Sequence, residues 1–368
     1  MTDAPLRRTP LYPAHVDAGA KLVDFAGWEM PLNYGSQMVE HRAVREHAGM
    51  FDVSHMTVVD VADGAAGGEA LALLRRLLAN DVAKLDAPGQ ALYGVMLNDE
   101  AGIVDDLIVY RRSAGGRDAG YRAVVNAATR DKVLGWLAAR NDEGARIEER
   151  DLAMVAVQGP AAIALFEAAS GWTGVADIAP FSMREQDGWM VGRTGYTGED
   201  GVEVVLPGDA ALTLWGRLAE AGVRPAGLAA RDTLRLEAGL NLYGQDMDET
   251  TSPLVSNLAW TVAWQPEDRD FIGREALAQE RAAGPAAKLT GLVMEEKGVL
   301  RHGQRVVTKA GEGEITSGIF SPTLGYSIAL ARLPRAAKGA CEVDVRGRLK
   351  PARIVKPPFV RKGSKVFD

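Results

Sequence analysis

The segment Gly102-Ile103-Val104-Asp105-Asp106-Leu107-Ile108-Val109-Tyr110 sets two adjacent carboxylates inside an otherwise apolar strand. An unpaired buried charge costs several kcal/mol or shifts its pKa until it neutralises, so such a strand needs either water or dedicated partners at that point. Strand residues alternate between the two faces of a sheet. Regular alternation puts Asp105 with Ile103, Leu107 and Val109, and Asp106 with Val104, Ile108 and Tyr110, with the sheet between the two acids. One face then carries a carboxylate and a phenol beside an apolar wall, which suits a flat, nitrogen-bearing ligand. The other reading is a strand end at which both acids are wet or cap the preceding turn, Asn98-Asp99-Glu100-Ala101-Gly102. The segment alone leaves both open.

The rest of the chain narrows the class. With 368 residues, 47% hydrophobic and 25% charged, it reads as a globular protein of two or three domains. No apolar run approaches the length of a membrane span. Met1 to Arg8 has neither the apolar core of a signal peptide nor the length of an Arg-rich transit helix. The single cysteine, Cys341, excludes an internal disulfide and a thiolate metal cluster, and fits a reducing cytoplasm. A net charge of -7 argues against nucleic acid as a partner. That charge is uneven: Lys288 to Asp368 holds 16 Lys/Arg against 7 Asp/Glu, leaving the preceding part strongly acidic. The basic part is either an electrostatic docking surface or the counterweight to acidic neighbours across an interface.

Ala282-Ala283-Gly284-Pro285-Ala286-Ala287 reads as a linker after a helical Arg274 to Glu280. Beyond it, short apolar segments (289–294, 305–309, 315–320, 327–332, 341–345 and 352–355) alternate with turn residues, the pattern of a small all-β domain. Before it, helical periodicity at 70–78, 129–139, 161–168 and 210–221 mixes with strands at 58–61, 107–110, 121–125, 154–158 and 201–206, giving an α+β class overall. Ser113 to Gly120 reads as a hairpin or loop tip.

Thr194-Gly195-Tyr196-Thr197-Gly198-Glu199-Asp200-Gly201 spaces its glycines as GxxGxxG and leads into a strand, so it is a turn and not a dinucleotide fingerprint. Its strand carries Glu203 among apolar residues, a second strand carboxylate that needs an explanation. Ala226 to Gly239 reads as a helix ended by Gly239, with Arg231 and Arg235 on one face; solvation of that face is the default reading. Four of the five histidines (His15, His41, His47 and His55) fall early, at spacings that match no metal motif, so no metal site is expected. No Gly-x-Ser-x-Gly elbow supports a serine hydrolase.

Thr9-Pro10-Leu11-Tyr12, Asp24-Phe25-Ala26-Gly27-Trp28-Glu29-Met30-Pro31 and Gly49-Met50-Phe51-Asp52-Val53-Ser54-His55-Met56 resemble the glycine cleavage system T protein family. The resemblance continues through Gly102 to Leu107, Arg193 to Gly201, Gly227 to Gly239, Leu242 to Asp248 and Ile315 to Gly325, and covers nearly the whole chain. The family's Gly-Gly before the aspartate strand is Ala101-Gly102 here.

The resemblance implies a three-lobed, folate-binding aminomethyltransferase fold with a barrel-like C-terminal β domain. Its lobes would be residues 1–55 joined with 150–285, an inserted α+β segment 56–149 carrying the catalytic aspartate, and 286–368. The implied reaction takes the aminomethyl group from the lipoyl arm of the H protein to tetrahydrofolate. It gives methylenetetrahydrofolate, ammonia and the reduced dithiol, in a system that also employs P and L proteins. Asp106 matches the catalytic position and Asp105 a structural acid pointing away. Glu203 matches the acceptor for the pterin amino and ring N–H groups, and Arg231 the folate-binding arginine. Tyr93, Tyr110, Asn126, Tyr196 and Met56 match further folate contacts. An acidic carrier meeting a negative chain would need a locally positive surface, so Lys288, Lys297 and Arg301 are expected at the entrance for the lipoyl arm. An alternative is a non-enzymatic folate-binding relative involved in iron–sulfur cluster maintenance. Its Lys-Gly-Cys-Tyr-x-Gly-Gln-Glu segment is replaced here by Asp270-Phe271-Ile272-Gly273-Arg274-Glu275, without cysteine.

Overall fold

The computed structural model describes residues 5–114 and 117–368; Met1 to Ala4, and the tip of the turn expected between Ser113 and Gly120, lie outside the described residues. A five-stranded sheet, a six-stranded sheet and a closed barrel organise the chain. The five-stranded sheet runs Ala91–Leu97, Ile103–Ala114, Arg117–Val125, Thr57–Ala62, Arg146–Arg150 in spatial order. Helices Glu69–Leu77 and Arg130–Ala139 cover one of its faces, burying Leu73, Leu77, Val133 and Leu137 against Met96, Leu107 and Val109. The opposite face is left for the site.

The six-stranded sheet runs Met183–Gln186, Trp189–Gly192, Gly201–Leu206, Ala153–Gln158, Gly49–Asp52, Arg224–Pro225. It therefore joins a strand that precedes the five-stranded sheet in the chain to strands that follow it. Its two central strands are buried at every position, because helices Ala162–Ser170 and Gly208–Glu220 lie on one face and helix Leu228–Glu237 packs across the other. Tyr110 and Val124 of the five-stranded sheet share that second core with Phe51, Met154, Val205, Ala230 and Leu234, so the two sheets meet there.

The barrel closes in the order Ala287–Met294, Ser327–Pro334, Gly311–Phe320, Arg305–Thr308, Ala340–Val345, Arg348–Val355. Alternate strand residues divide its apolar content between an interior (Leu292, Met294, Ile315, Ala329, Ala331) and an outer patch (Leu289, Val293, Ile328, Leu330). The outer patch meets Leu236, so helix Leu228–Glu237 is held between sheet and barrel. Gly239 ends this helix, with Leu236 O accepting its backbone N–H. The arginine face expected to be solvated is not. Arg235 is buried and donates to Asp232 one turn back on its own helix, and to Asp246, Ser317 and the Leu240 carbonyl, supplied by the following loop and the barrel.

Strand Ile103–Ala114 departs from regular alternation. Met96 pairs with Asp105 but Leu97 pairs with Ile103, so Val104 is an extra residue, a β-bulge. The bulge resets the faces: Val104 joins Leu107 and Val109 in the helix-covered core, while Ile103 lies in the core on the other side. The expected groupings of Ile103 with Asp105 and of Val104 with Asp106 are therefore exchanged. Gly102, just before the bulge, is tightly enclosed, since a Cβ there would lie 1.7 Å from the Glu249 carbonyl oxygen.

Candidate active site

Neither aspartate caps the preceding turn, and only Asp106, half-buried on a cavity wall, keeps access to solvent. Asp105 is fully buried and accepts from Asn126 Nδ2 at 2.8 Å, Thr129 Oγ1 at 2.8 Å and the Asn126 backbone N–H at 3.2 Å. Asp106 accepts from Tyr93 Oη at 2.9 Å and from the same Asn126 Nδ2 at 2.8 Å. Asn126 follows the last residue of strand Arg117–Val125, where the ladder has ended and a side chain can wrap the sheet edge. The sheet therefore does not separate the two acids as regular alternation implies; one amide holds both. Burial pushes the Asp105 carboxyl up to about 7, with the Asp106 charge adding to it against the Asn126 and Thr129 donors. Burial also raises Asp106, against the Tyr93 and Asn126 hydrogen bonds.

Tyr93 reaches Asp106 diagonally across the strand pair, since Val95 is the residue directly opposite. Its outer face stacks on Trp260, with ring centroids 5.7 Å apart and planes at 22°. Glu203, on strand Gly201–Leu206, accepts from Thr194 Oγ1 at 2.5 Å through Oε2, and among the described residues no donor reaches Oε1. Arg231 lies near the start of helix Leu228–Glu237, its guanidinium 4.8 Å from the Tyr196 ring centroid and 6.0 Å from that of Phe51. Arg231 Nη1 is buried without a hydrogen-bond partner among the described residues. Burial lowers the Arg231 pKa, against the charge of Glu203 and the Tyr196 phenol. Tyr196 donates to the Asn241 carbonyl.

Between these elements lies one cavity of about 300 Å³. Asp106, Glu203, Arg231, Tyr93, Tyr110, Asn126, Tyr196 and Met56, eight positions singled out from sequence, all line it. Tyr110 contributes its ring only, because its hydroxyl is engaged 3.0 Å from Thr194 Oγ1. Asp105 is absent from the wall and acts through Asn126. A free acceptor on Glu203 and a free donor on Arg231, set among aromatic and apolar walls, would fit a flat heterocycle carrying both N–H and carbonyl edges. No cluster of three or more His, Cys, Asp or Glu able to hold a metal ion occurs among the described residues.

Lys288, Lys297 and Arg301 do not line the cavity. The most exposed large side chains of its wall are Phe25, Phe181 and Trp260, so the entrance is aromatic and the expected basic rim is not found there. Sequence reasoning also missed His55 and Trp260 as wall residues. His55 is buried against Phe25, and burial holds its imidazole at about 4, against Asp52 and with help from the Arg231 charge. Trp260 sits in a short turn, Ala259–Thr261, without periodicity to mark it. Cys341 is buried in the barrel, where burial pushes its thiol up to about 11.

Residues 11–266 match the GCVT N-terminal domain, and residues 288–361 match the glycine cleavage T-protein C-terminal barrel domain. An aminomethyltransferase of Chromobacterium violaceum is 54% identical over 374 residues, covering 98% of this chain and 99% of the relative. One of Pseudomonas syringae pv. tomato is 54% identical over 363 residues, covering 97% and 98%. The crystal structure of glycine cleavage system aminomethyltransferase T from Bartonella henselae superposes with a TM-score of 0.89 at 35% identity, over 97% of this chain and 99% of that one. Two domain families matched in order, and relatives alike over nearly their full lengths, place this chain in the glycine cleavage T-protein family of aminomethyltransferases.

Proposed function

We propose that the cavity binds tetrahydrofolate and that the aminomethyl donor is the lipoyl arm of an H protein. The observation that carries this reading is the juxtaposition, in one cavity, of the Asp106 carboxylate, the open oxygen of Glu203 and the open nitrogen of Arg231. Glu203 would accept from the pterin N–H groups, and Arg231 would donate to its carbonyl. Tyr196 and Met56 would line the ring, and the Tyr93–Trp260 stack would face its aromatic tail.

In the transfer, carbon passes from the carrier sulfur to folate nitrogen. Its bonds to the amine and to sulfur break as bonds to two folate nitrogens form, and the protons those nitrogens give up leave with the ammonia and the free dithiol, without net redox change. Positive charge develops at that carbon. Asp106, oriented by Tyr93 and Asn126, would stabilise the charge and move a proton between the nitrogens once bound ligand fills the cavity. The barrel's basic residues, among them Lys288, Lys297 and Arg301, would attract an acidic carrier to the neighbourhood of the aromatic mouth. Leu289 N–H bonds the Val255 carbonyl, so the start of the barrel adjoins the segment that carries Trp260. We place the reaction in the cytoplasm, consistent with a single cysteine.

The test is ammonia release from aminomethylated, lipoylated carrier protein, with and without tetrahydrofolate. Folate-dependent release is expected. Release equal to the folate-free control would overturn the proposal.

A further inference from the structure

Tyr110, Thr194 and Glu203 form a directed hydrogen-bond chain. Thr194 has one hydroxyl hydrogen, and at 2.5 Å from Glu203 Oε2 it is spent on the carboxylate. Tyr110, whose oxygen lies 3.0 Å from the same Thr194 oxygen, must then be the donor to it. Burial, with the Glu203 charge adding to it, raises the Tyr110 pKa, so the phenol keeps its proton. Tyr110, Thr194 and Glu203 are all buried.

The chain crosses between the two sheets. Tyr110 stands on the strand that carries Asp106, four residues on and on the same face; Thr194 and Glu203 belong to the six-stranded half. Two local features permit the crossing. Gly192 has no side chain where the phenol comes in: a Cβ there would sit 3.1 Å from Tyr110 Cε1 and 3.2 Å from its oxygen. Gln158 Nε2 donates to the Thr194 carbonyl at 3.1 Å and pins the turn.

Glu203 and Arg231 carry opposite charges into one cavity, yet no ion pair joins them among the described residues. In a water-poor cavity, opposite charges attract strongly, and direct pairing would consume both recognition groups. We propose that Thr194, backed by Tyr110, is a positioning residue that tethers Glu203 through Oε2, keeping it off Arg231 and leaving Oε1 open to the pterin. This rests on the folate reading above and deepens it.

The test uses the full chain and tetrahydrofolate, with calorimetry for affinity, steady-state kinetics for the KM and kcat split, and thermal melting to establish that each variant is folded. Thr194→Val removes only the hydroxyl and should weaken tetrahydrofolate binding about ten- to hundredfold, the worth of a hydrogen bond to a charged group. The effect should fall on KM for folate, with kcat at saturation changed less than about threefold. Thr194→Ser should restore affinity, and Tyr110→Phe should lose a smaller part of it. In a Glu203→Gln background, Thr194→Val should add nothing. If Glu203→Gln itself leaves affinity intact, the folate reading of Glu203 falls and the tether with it. If Glu203→Gln weakens binding but folded Thr194→Val and Tyr110→Phe do not, the tether alone is overturned. A Thr194→Val loss that serine fails to rescue would mark a packing effect and also overturn it.

Discussion

Asp105 and Asp106 meet at a single atom, the Asn126 amide nitrogen, which lies 2.8 Å from an oxygen of each. The carboxylates therefore titrate as a unit, although only Asp106 faces the cavity. Asp105 binds a proton in the folded state that the unfolded chain releases near the ordinary carboxylate range. Between that range and about 7 the folded state holds more protons, so this group makes stability fall as pH rises. Urea unfolding of wild type and Asp105→Asn at pH 5 and pH 8 should show the wild type losing stability relative to the variant at the higher pH, whatever constant offset the substitution adds. Parallel pH dependences would dissolve the pairing.

Asp106→Asn should fold, bind folate and lose about 10²–10⁴-fold in turnover, the usual worth of a positioned acid–base group. Tyr93→Phe removes a donor that holds the Asp106 carboxyl down, so the acid limb of the pH–rate profile should move to higher pH. An unmoved acid limb in a folded Tyr93→Phe variant would assign that limb to another group.

Glu203→Gln replaces an acceptor with a group that also donates, so one pterin N–H meets a donor. The expected loss is about 2–5 kcal/mol of folate affinity, read by calorimetry. Unchanged affinity in the folded variant removes Glu203 from the site.

Glu237 accepts from Arg45 at 2.8 Å, Ser321 at 2.5 Å and Thr323 at 2.8 Å, and His41 lies 3.3 Å away. Burial pushes its carboxyl up, but His41, Arg45 and Ser321 outweigh burial and hold it at about 2. Glu237→Gln should cost about 3–5 kcal/mol at neutral pH, because Arg45 keeps its charge and loses a buried partner. A depressed carboxylate stabilises above its unfolded pKa and less as pH falls, so the gap from wild type should narrow on acidification from pH 5 to pH 3. A constant gap in denaturant melts would assign the cost to packing alone.

Charge reversal at Lys288, Lys297 and Arg301 should raise KM for the carrier and flatten its salt dependence while leaving folate KM alone. The salt effect on wild type should be largest where the Debye length shrinks from about 30 Å to about 10 Å. Carrier kinetics blind to both would leave the aromatic mouth as the docking determinant.

The strands at 58–61, 154–158 and 201–206, and the β segments beyond residue 287, were legible because each is a short, largely apolar run bounded by turn residues, and the strands so marked are buried at nearly every position. The strand carboxylates were legible as anomalies, and family resemblance supplied their roles. The Val104 bulge was not legible, since it exists only relative to the register of strand Ala91–Leu97. Arg235 read as solvated because its counter-charge Asp246 and its partner Ser317 come from other elements. Trp260 has no periodic neighbours, and its partner Tyr93 is far away in sequence.

Helix Leu228–Glu237 acts as a lever with its two ends in different hands. Arg231 lies near one end, in the cavity, while Glu237 at the other end is gripped by Ser321 and Thr323, about 9 Å further along the axis. The barrel lends the cavity no wall residue among those described, yet it grips the far end of the helix that carries the arginine. On the proposed folate reading, substitutions on the barrel's outer patch are expected to retune affinity from a distance, and a chain cut at the linker is expected to lose affinity before losing a single residue of the cavity wall.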